Sequence, residues 1–167
     1  MNRVSNELLT INGWTIFAHP LFLNQLEQLV SQVEHLKKKD PTGYIKKNPS
    51  KRLAAIIKLA FEVIPQDPLR VEYRQGATLG SDRKHWFRAK FFQQYRLFFR
   101  YHAQAKMIVY AWVNDEDTKR AYESSEDAYL VFRTMVERGR PPDDWEQLLK
   151  ESQAESPRLR RYTLHEK

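Results

Sequence analysis

Residues 86–122, WFRAKFFQQYRLFFRYHAQAKMIVYAWVNDEDTKRAY, organise the chain, because apolar and basic residues alternate there with a strand period through successive segments. Phe87, Ala89 and Phe91 fall on one side and Arg88 and Lys90 on the other, since neighbouring side chains of a strand point to opposite faces. Leu97, Phe99 and Tyr101 continue the apolar side, and Arg96, Phe98 and Arg100 the mainly basic one. With a turn over 92–95 the two segments pair as a hairpin that carries four cations on one face. The third segment, 106–113, is apolar on both faces and reads as a more buried strand beside them. The expectation is a three-stranded antiparallel sheet with an apolar face and a cationic face, the latter open unless C-terminal helices reach over Phe98.

The flanks supply what the apolar face needs. Residues 1–11 read as a flexible N-terminal arm, and 11–18 as a short strand anchored by Trp14. Pro20 suits the first position of a helix that carries Phe22, Leu26, Leu29, Val30, Val33 and Leu36 at helical spacing and closes on Lys37, Lys38 and Lys39. Ser50 is a candidate N-cap for a second helix with Leu53, Ile56, Ile57, Ala60 and Ile64 on one face, ended by Pro65. These two helices form a hairpin on the sheet. Residues 69–73 alternate as an edge strand and lead into a loop holding Gly76 and Gly80. Downstream, Asn114 caps a short helix to Tyr122, Ser124 or Ser125 caps another that stops at Gly139, and a last helix runs from Pro142 to about Ser152. The expected division is one α+β domain over 12–152, followed by a basic, mobile tail over 153–167.

Composition narrows the function. The 28 Lys and Arg against 21 Asp and Glu give a net charge of +7, which favours a polyanion or an acidic protein as partner. There is no cysteine, which excludes a disulfide framework, a thiolate zinc site and a cysteine nucleophile. No signal-peptide stretch or membrane-spanning run stands out, so a soluble, cytoplasmic protein is expected. The P-loop, the GxSxG elbow and the HExxH zinc motif are all missing. The five histidines are scattered, and Asp115, Glu116 and Asp117 read as helix-start residues; no metal site or other cofactor is expected.

The cationic hairpin face, with Arg120 and Tyr122, suits a phosphodiester: guanidinium and ammonium groups bind the phosphate and stabilise charge that grows on its oxygens. An RNA substrate brings its own 2′-hydroxyl as nucleophile, so the protein needs only a base, an acid and cations. Tyr122, Lys90, His85 and Tyr110 are the candidates for proton transfer. The same pattern also fits a solvated sheet face with no catalytic task.

Six motifs in order, NGWTIFAHPLF, GATLGSDRKHWFRAKF, YRLFFRY, WVNDEDTKRAY, DAYLVF and RGRPPDDW, resemble the YhaV toxins of bacterial toxin–antitoxin systems, a branch of the RelE-like superfamily. The resemblance spans about residues 12–145. It implies a RelE-like fold, a small twisted antiparallel sheet with an N-terminal helical hairpin on one face and extra C-terminal helices. It also implies a metal-independent endoribonuclease that cuts mRNA during translation on the ribosome and so inhibits growth. The implied partner is an AbrB-like antitoxin of the PrlF type, through which the pair reaches operator DNA. By position in the motifs, Arg96 would hold the phosphate, Arg88 and Lys90 would supply charge and proton transfer, and Tyr122 would act as general base or stacking group. His85, Arg100, Asn114, Asp115 and Arg120 complete the expected RNA-contacting set. Two departures stand out. Asn114 to Asp117 occupy the place where many relatives carry another basic residue, so that Arg100 or Arg120 substitutes or Asp115 orients an arginine. Gln93 and Gln94 stand where the hairpin turn would have glycines. Two further readings stay open: a non-catalytic RNA- or DNA-binding regulator, and an inactive toxin that only binds its antitoxin.

Overall fold

The computed structural model describes residues 8–115 and 126–164. Its sheet begins where the arm was expected. β1 (Leu9–Ile11) and β2 (Trp14–Ala18) form a hairpin whose two-residue turn, Asn12 and Gly13, has φ of +52° and +84°. Asn-Gly is the pair that a tight hairpin turn of this kind selects. The chain then enters α1 (Pro20–Lys39), the helix expected at 20–39.

After a 3₁₀ turn at Tyr44–Lys46 comes α2 (Asn48–Lys58), which starts ahead of Ser50 with Pro49 in its first turn. Nor does α2 stop before Pro65: a π turn (Leu59–Val63) carries it into a last turn, Ile64–Gln66. Proline has no N–H to give to the carbonyl four residues back, and the widened turn absorbs that loss. The edge strand expected at 69–73 is instead a 3₁₀ turn, Val71–Tyr73, tied to the sheet by one bridge between Arg74 and Phe87. Leu69 and Val71 are exposed, so their alternation faces no core.

β3 (Phe87–Phe91), β4 (Tyr95–His102) and β5 (Met107–Val113) are the three segments read from the sequence, paired antiparallel. The sheet is larger than those three, with order β1-β2-β5-β4-β3 and β2 parallel to β5. α3 (Glu126–Glu137), α4 (Trp145–Gln153) and α5 (Ser156–Leu164) complete an α+β fold. The helix expected over 114–122 and the caps at Ser124 and Ser125 fall outside the described residues. The segment read as a basic tail is in part α5: Leu159 is fully buried, and Arg158 forks onto Glu27 of α1 at 2.9 and 2.8 Å.

Both faces of the sheet are covered. On one, Ile16, Ala18, Leu97, Phe99, Ile108 and Tyr110 pack under α1 and α2 with Phe22, Leu26, Ile56 and Ile64. On the other, Phe17, Phe98, Val109 and Ala111 pack against Phe132 and Val136 of α3 and Leu148 of α4. Phe98 stacks on Phe132 with ring centroids 4.2 Å apart. The cationic face is therefore not an open one: β2 and β5 bring apolar residues to it, and α3 and α4 close over them. Among the described residues, no helix is long and apolar enough to cross a membrane.

Candidate active site

The register of the β3–β4 hairpin sets Lys90 directly across from Arg96 and Arg88 across from Phe98. Side chains opposite each other in an antiparallel pair share a face at ~5 Å between their β-carbons. Arg88, Lys90 and Arg96 thus meet at the β3 end of the sheet, where the second core stops. Their exposures differ: Lys90 is exposed, Arg88 half-buried, and Arg96 buried at 5% exposure.

A residue outside the expected set joins the two arginines. Arg88 Nε and Arg96 Nε both donate to the hydroxyl of Tyr129 on α3, at 2.8 and 3.0 Å. Arg88 Nη1 donates to the Glu72 carbonyl (2.7 Å), and Arg96 Nη1 to the carbonyls of Gln93 (2.7 Å) and Tyr95 (3.1 Å). These partners are neutral oxygens, so they orient two full positive charges without cancelling them. Tyr129 itself is buried, edge-on to Phe98. It lies in the DAYLVF motif as a polar end on the apolar face of an amphipathic helix, and that was the one sequence signal for it.

The β3–β4 turn is bent to meet Arg96. Phe92 and Gln93 have φ of +48° and +65°, left-handed values that cost a non-glycine residue ~1 kcal/mol or more each. The turn lacks glycine, and the Arg96 guanidinium on the Gln93 carbonyl offsets part of that strain. Asn114 closes the other side: its Oδ1 accepts from Arg96 N (2.7 Å), and its Nδ2 donates to the Gln94 carbonyl (2.9 Å). Expected as an RNA contact, Asn114 is 1% exposed and has its amide committed inside the protein. It positions Arg96.

Other expected residues stand apart from this group. Arg100 lies over the rings of both Trp86 (5.5 Å) and Trp145 (5.3 Å) and donates to the Asp143 carbonyl at 2.6 Å. Burial lowers its pKa against the pull of Asp143 and Asp144. His85 and Trp86 Nε1 both bond Asp143 Oδ1 at 2.8 Å. Burial opposes ionisation of that carboxyl, but these two bonds and the Arg100 charge hold its pKa below the ordinary value. Arg100 and His85 thus belong to an anchor, built on the RGRPPDDW motif, that fixes the C-terminal helices to the sheet. Tyr110, a candidate for proton transfer, is wholly buried in the other core; its hydroxyl donates to the Ala60 carbonyl, and burial raises its pKa well above the ordinary value. Asp115 is exposed just past β5. Tyr122 and Arg120 lie outside the described residues.

Arg88 and Lys90 border a groove of about 410 Å³ at the outer edge of β3, lined also by Leu59, Val71, Glu72 and Arg74 among others. Arg74 is exposed and was given no role by the sequence reading, which placed it after an edge strand. Among the described residues, no cluster of three His, Cys, Asp or Glu side chains is placed to hold a metal ion.

An oriented pair of arginines, an exposed lysine opposite one of them and a basic groove at a sheet edge have the chemistry that suits a phosphodiester. The comparison with known families is more specific. Residues 16–153 match the model of YhaV, described as a toxin with endonuclease activity, of a toxin–antitoxin system. The Ribonuclease toxin YhaV of Escherichia coli strain K12 is 46% identical over 145 residues, covering 86% of this chain and 94% of that protein. The Toxin YhaV of Escherichia coli O157:H7 has the same identity and coverage. No solved structure matches the chain. The chain belongs to the YhaV toxin family, endonucleases of toxin–antitoxin systems, and that membership brings with it an antitoxin partner.

Proposed function

We propose that the chain cuts mRNA on the translating ribosome, in the cytoplasm, with its centre on the β3–β4 hairpin. The observation that carries this reading is the convergence of Arg88 and Arg96 on Tyr129, with Lys90 directly across from Arg96 beside the groove. In this reading the RNA backbone enters along β3, and Lys90 and Arg74 meet its phosphates at the surface. Arg88 and Arg96 stabilise the charge that grows on the phosphoryl oxygens as the neighbouring 2′-hydroxyl attacks. The new bond is 2′-oxygen to phosphorus and the broken one phosphorus to 5′-oxygen. The products are a 2′,3′-cyclic phosphate and a free 5′-hydroxyl, and the cycle needs one base and one acid. Tyr122 is assigned the base and Lys90 the acid; no metal step is required. The name of the Escherichia coli relative, a ribonuclease, supports RNA as substrate.

On the same reading, the antitoxin is AbrB-like, of the PrlF type, and brings the pair to operator DNA. The burial of Arg96 favours one alternative, a regulator that binds nucleic acid without turnover, because a structural arginine would be held in the same way.

Mapped cuts separate the two, and Lys90→Ala tests the site. Lys90 is exposed, so its loss leaves folding untouched, whereas Arg96→Ala also releases the hairpin turn. With RNA 5′ ends mapped after induction in a bacterium, the unsubstituted chain produces new cuts inside coding regions. These fall by ~10²- to 10³-fold in Arg96→Ala and substantially in Lys90→Ala. If the unsubstituted chain makes no cuts, the enzymatic reading is wrong; if Lys90→Ala weakens RNA binding and cutting by the same factor, Lys90 only binds RNA and its assignment as the acid is wrong. Cuts that persist after translation is blocked would remove the ribosome from it.

A further inference from the structure

Away from the cations, α2 carries more apolar surface than the fold uses. Ile56 and Ala60 are buried against the sheet; Leu53 and Ile57, on the same stripe, are covered by that core only in part and line a groove together with the exposed Ala54. Apolar side chains that the core covers only in part, beside exposed ones, leave a surface that a partner can cover. The groove, about 920 Å³, runs between α1, the Tyr44–Lys46 turn, α2 and the β3–β4 turn, where Phe92 lines it too. Ile45 is 63% exposed and Phe92 51%, so two of the six exposed large apolar side chains among the described residues meet here.

The rim is cationic. Lys46, Lys51 and Lys58 line the groove against one acid, Glu62. Exposed Lys37, Lys38 and Lys39 end α1 nearby, with Lys37 over the Tyr44 ring at 5.8 Å. A second copy of the chain would bring an identical lysine rim to face this one. Nucleic acid would satisfy the lysines but leave the aliphatic floor of Leu53, Ala54 and Ile57 unused. An amphipathic helix with an apolar stripe and acidic flanks satisfies both, the helix-in-groove mode of peptide recognition.

We infer that this groove is the docking site for an acidic, amphipathic helical segment of the antitoxin, an assignment that rests on the toxin–antitoxin reading. Its place gives the occupant a route to the chemistry. Phe92 and Gln93 are the two left-handed residues of the turn, and the Gln93 carbonyl holds Arg96 Nη1 at 2.7 Å. An occupant that covers Phe92 grips the turn that orients Arg96 without entering the catalytic groove.

The test is titration calorimetry of purified antitoxin into the full chain and into Ile45→Glu and Lys51→Glu/Lys58→Glu variants, with circular dichroism to verify folding. All three substituted side chains are at the surface. The expected result is binding that weakens with salt in the parent and falls by at least thirtyfold in each variant, while cleavage of RNA by the free variants is unchanged. Affinities within threefold of the parent overturn the assignment. So does a loss of oligonucleotide binding in the same variants, which would make this an RNA groove, or a parental dimer that Ile45→Glu dissociates, which would make it a self-contact. The two readings fail separately. A parent that binds antitoxin through the groove but cuts no RNA removes the ribonuclease and keeps the docking site; the converse removes the docking site alone.

Discussion

The two faces of the sheet are covered in the same way and built for different ends. Under α1 and α2 the face is apolar apart from tyrosine hydroxyls, and that of Tyr110 is answered by the Ala60 carbonyl within the core. Under α3 and α4 the core is aromatic in the middle, with Phe98, Trp112 and Phe132 in mutual ring contact, and turns basic at β3, where α3 offers the arginines a phenol instead of another apolar residue. One face is packing alone. The other uses packing to hold charge in place, which is what preorganisation requires of a site that stabilises a transition state.

Truncation on each side is the strongest way to break this contrast. Phe22→Ala under α1 and Phe132→Ala under α3 each remove a fully buried ring and should each destabilise the fold by ~3–5 kcal/mol. The contrast lies in what survives. Per folded molecule, Phe22→Ala should cut RNA at the parental rate, and Phe132→Ala should be slower, because α3 no longer fixes Tyr129 over the arginines. Denaturant unfolding together with cleavage normalised to the folded fraction measures both. Equal turnover in the two variants would mean that the second face is also only packing.

Tyr129→Phe sharpens the point, since it keeps the ring and deletes the oxygen that both Nε groups use. Buried donors left without an acceptor cost ~1–3 kcal/mol, or roughly ten- to a hundredfold when that loss appears in turnover. We expect a modest loss of stability and a larger loss of cleavage with RNA affinity nearly kept. Such a split would mark Tyr129 as a positioning residue; an equal fall in affinity and turnover would instead place its hydroxyl on the RNA.

The contrast also explains what the sequence revealed. Three strands and the first helix were legible because period-2 and period-3.6 patterns are written in residues that face one core. The cations at 88, 90 and 96 were legible for the same reason. Their surroundings were not: alternation in one hairpin says nothing about what β2 and β5 place beside it, so the closure over Phe98 depended on long-range pairing. The parallel strand β2 adds a pairing that local alternation cannot announce, although Asn12-Gly13 was a readable signal for the β1–β2 turn. Asn114 shows the limit most plainly. An Asn followed by acids has the look of a helix cap, and only the fold shows its amide clamped between Arg96 and Gln94.

The smallest expected effect concerns the link between the covers of the two faces. His19 Nδ1 accepts from Leu21 N (3.2 Å) and so caps α1; the ring proton is then on Nε2, donated to Glu151 of α4 at 2.7 Å. Burial lowers the His19 pKa, with the Arg140 charge in the same direction and Glu151 opposing. Glu151, bonded by Gln147 and His19, also has its pKa lowered. Since the unfolded chain takes up the histidine proton first, the stability due to neutral His19 is complete above about pH 6.5 and is lost as pH falls from there through the folded value. The carboxylate contribution is lost only lower, as pH falls below about 4.5 towards the folded value. Protonation puts a hydrogen on Nδ1 facing the Leu21 N–H, so the loss is the cap itself, worth ~1 kcal/mol. Thermal melts from pH 8 to 5 should therefore show the parent losing stability on acidification below about 6.5, and His19→Gln starting lower and staying flat. Equal slopes would mean that the histidine is a passive filler between α1 and α4.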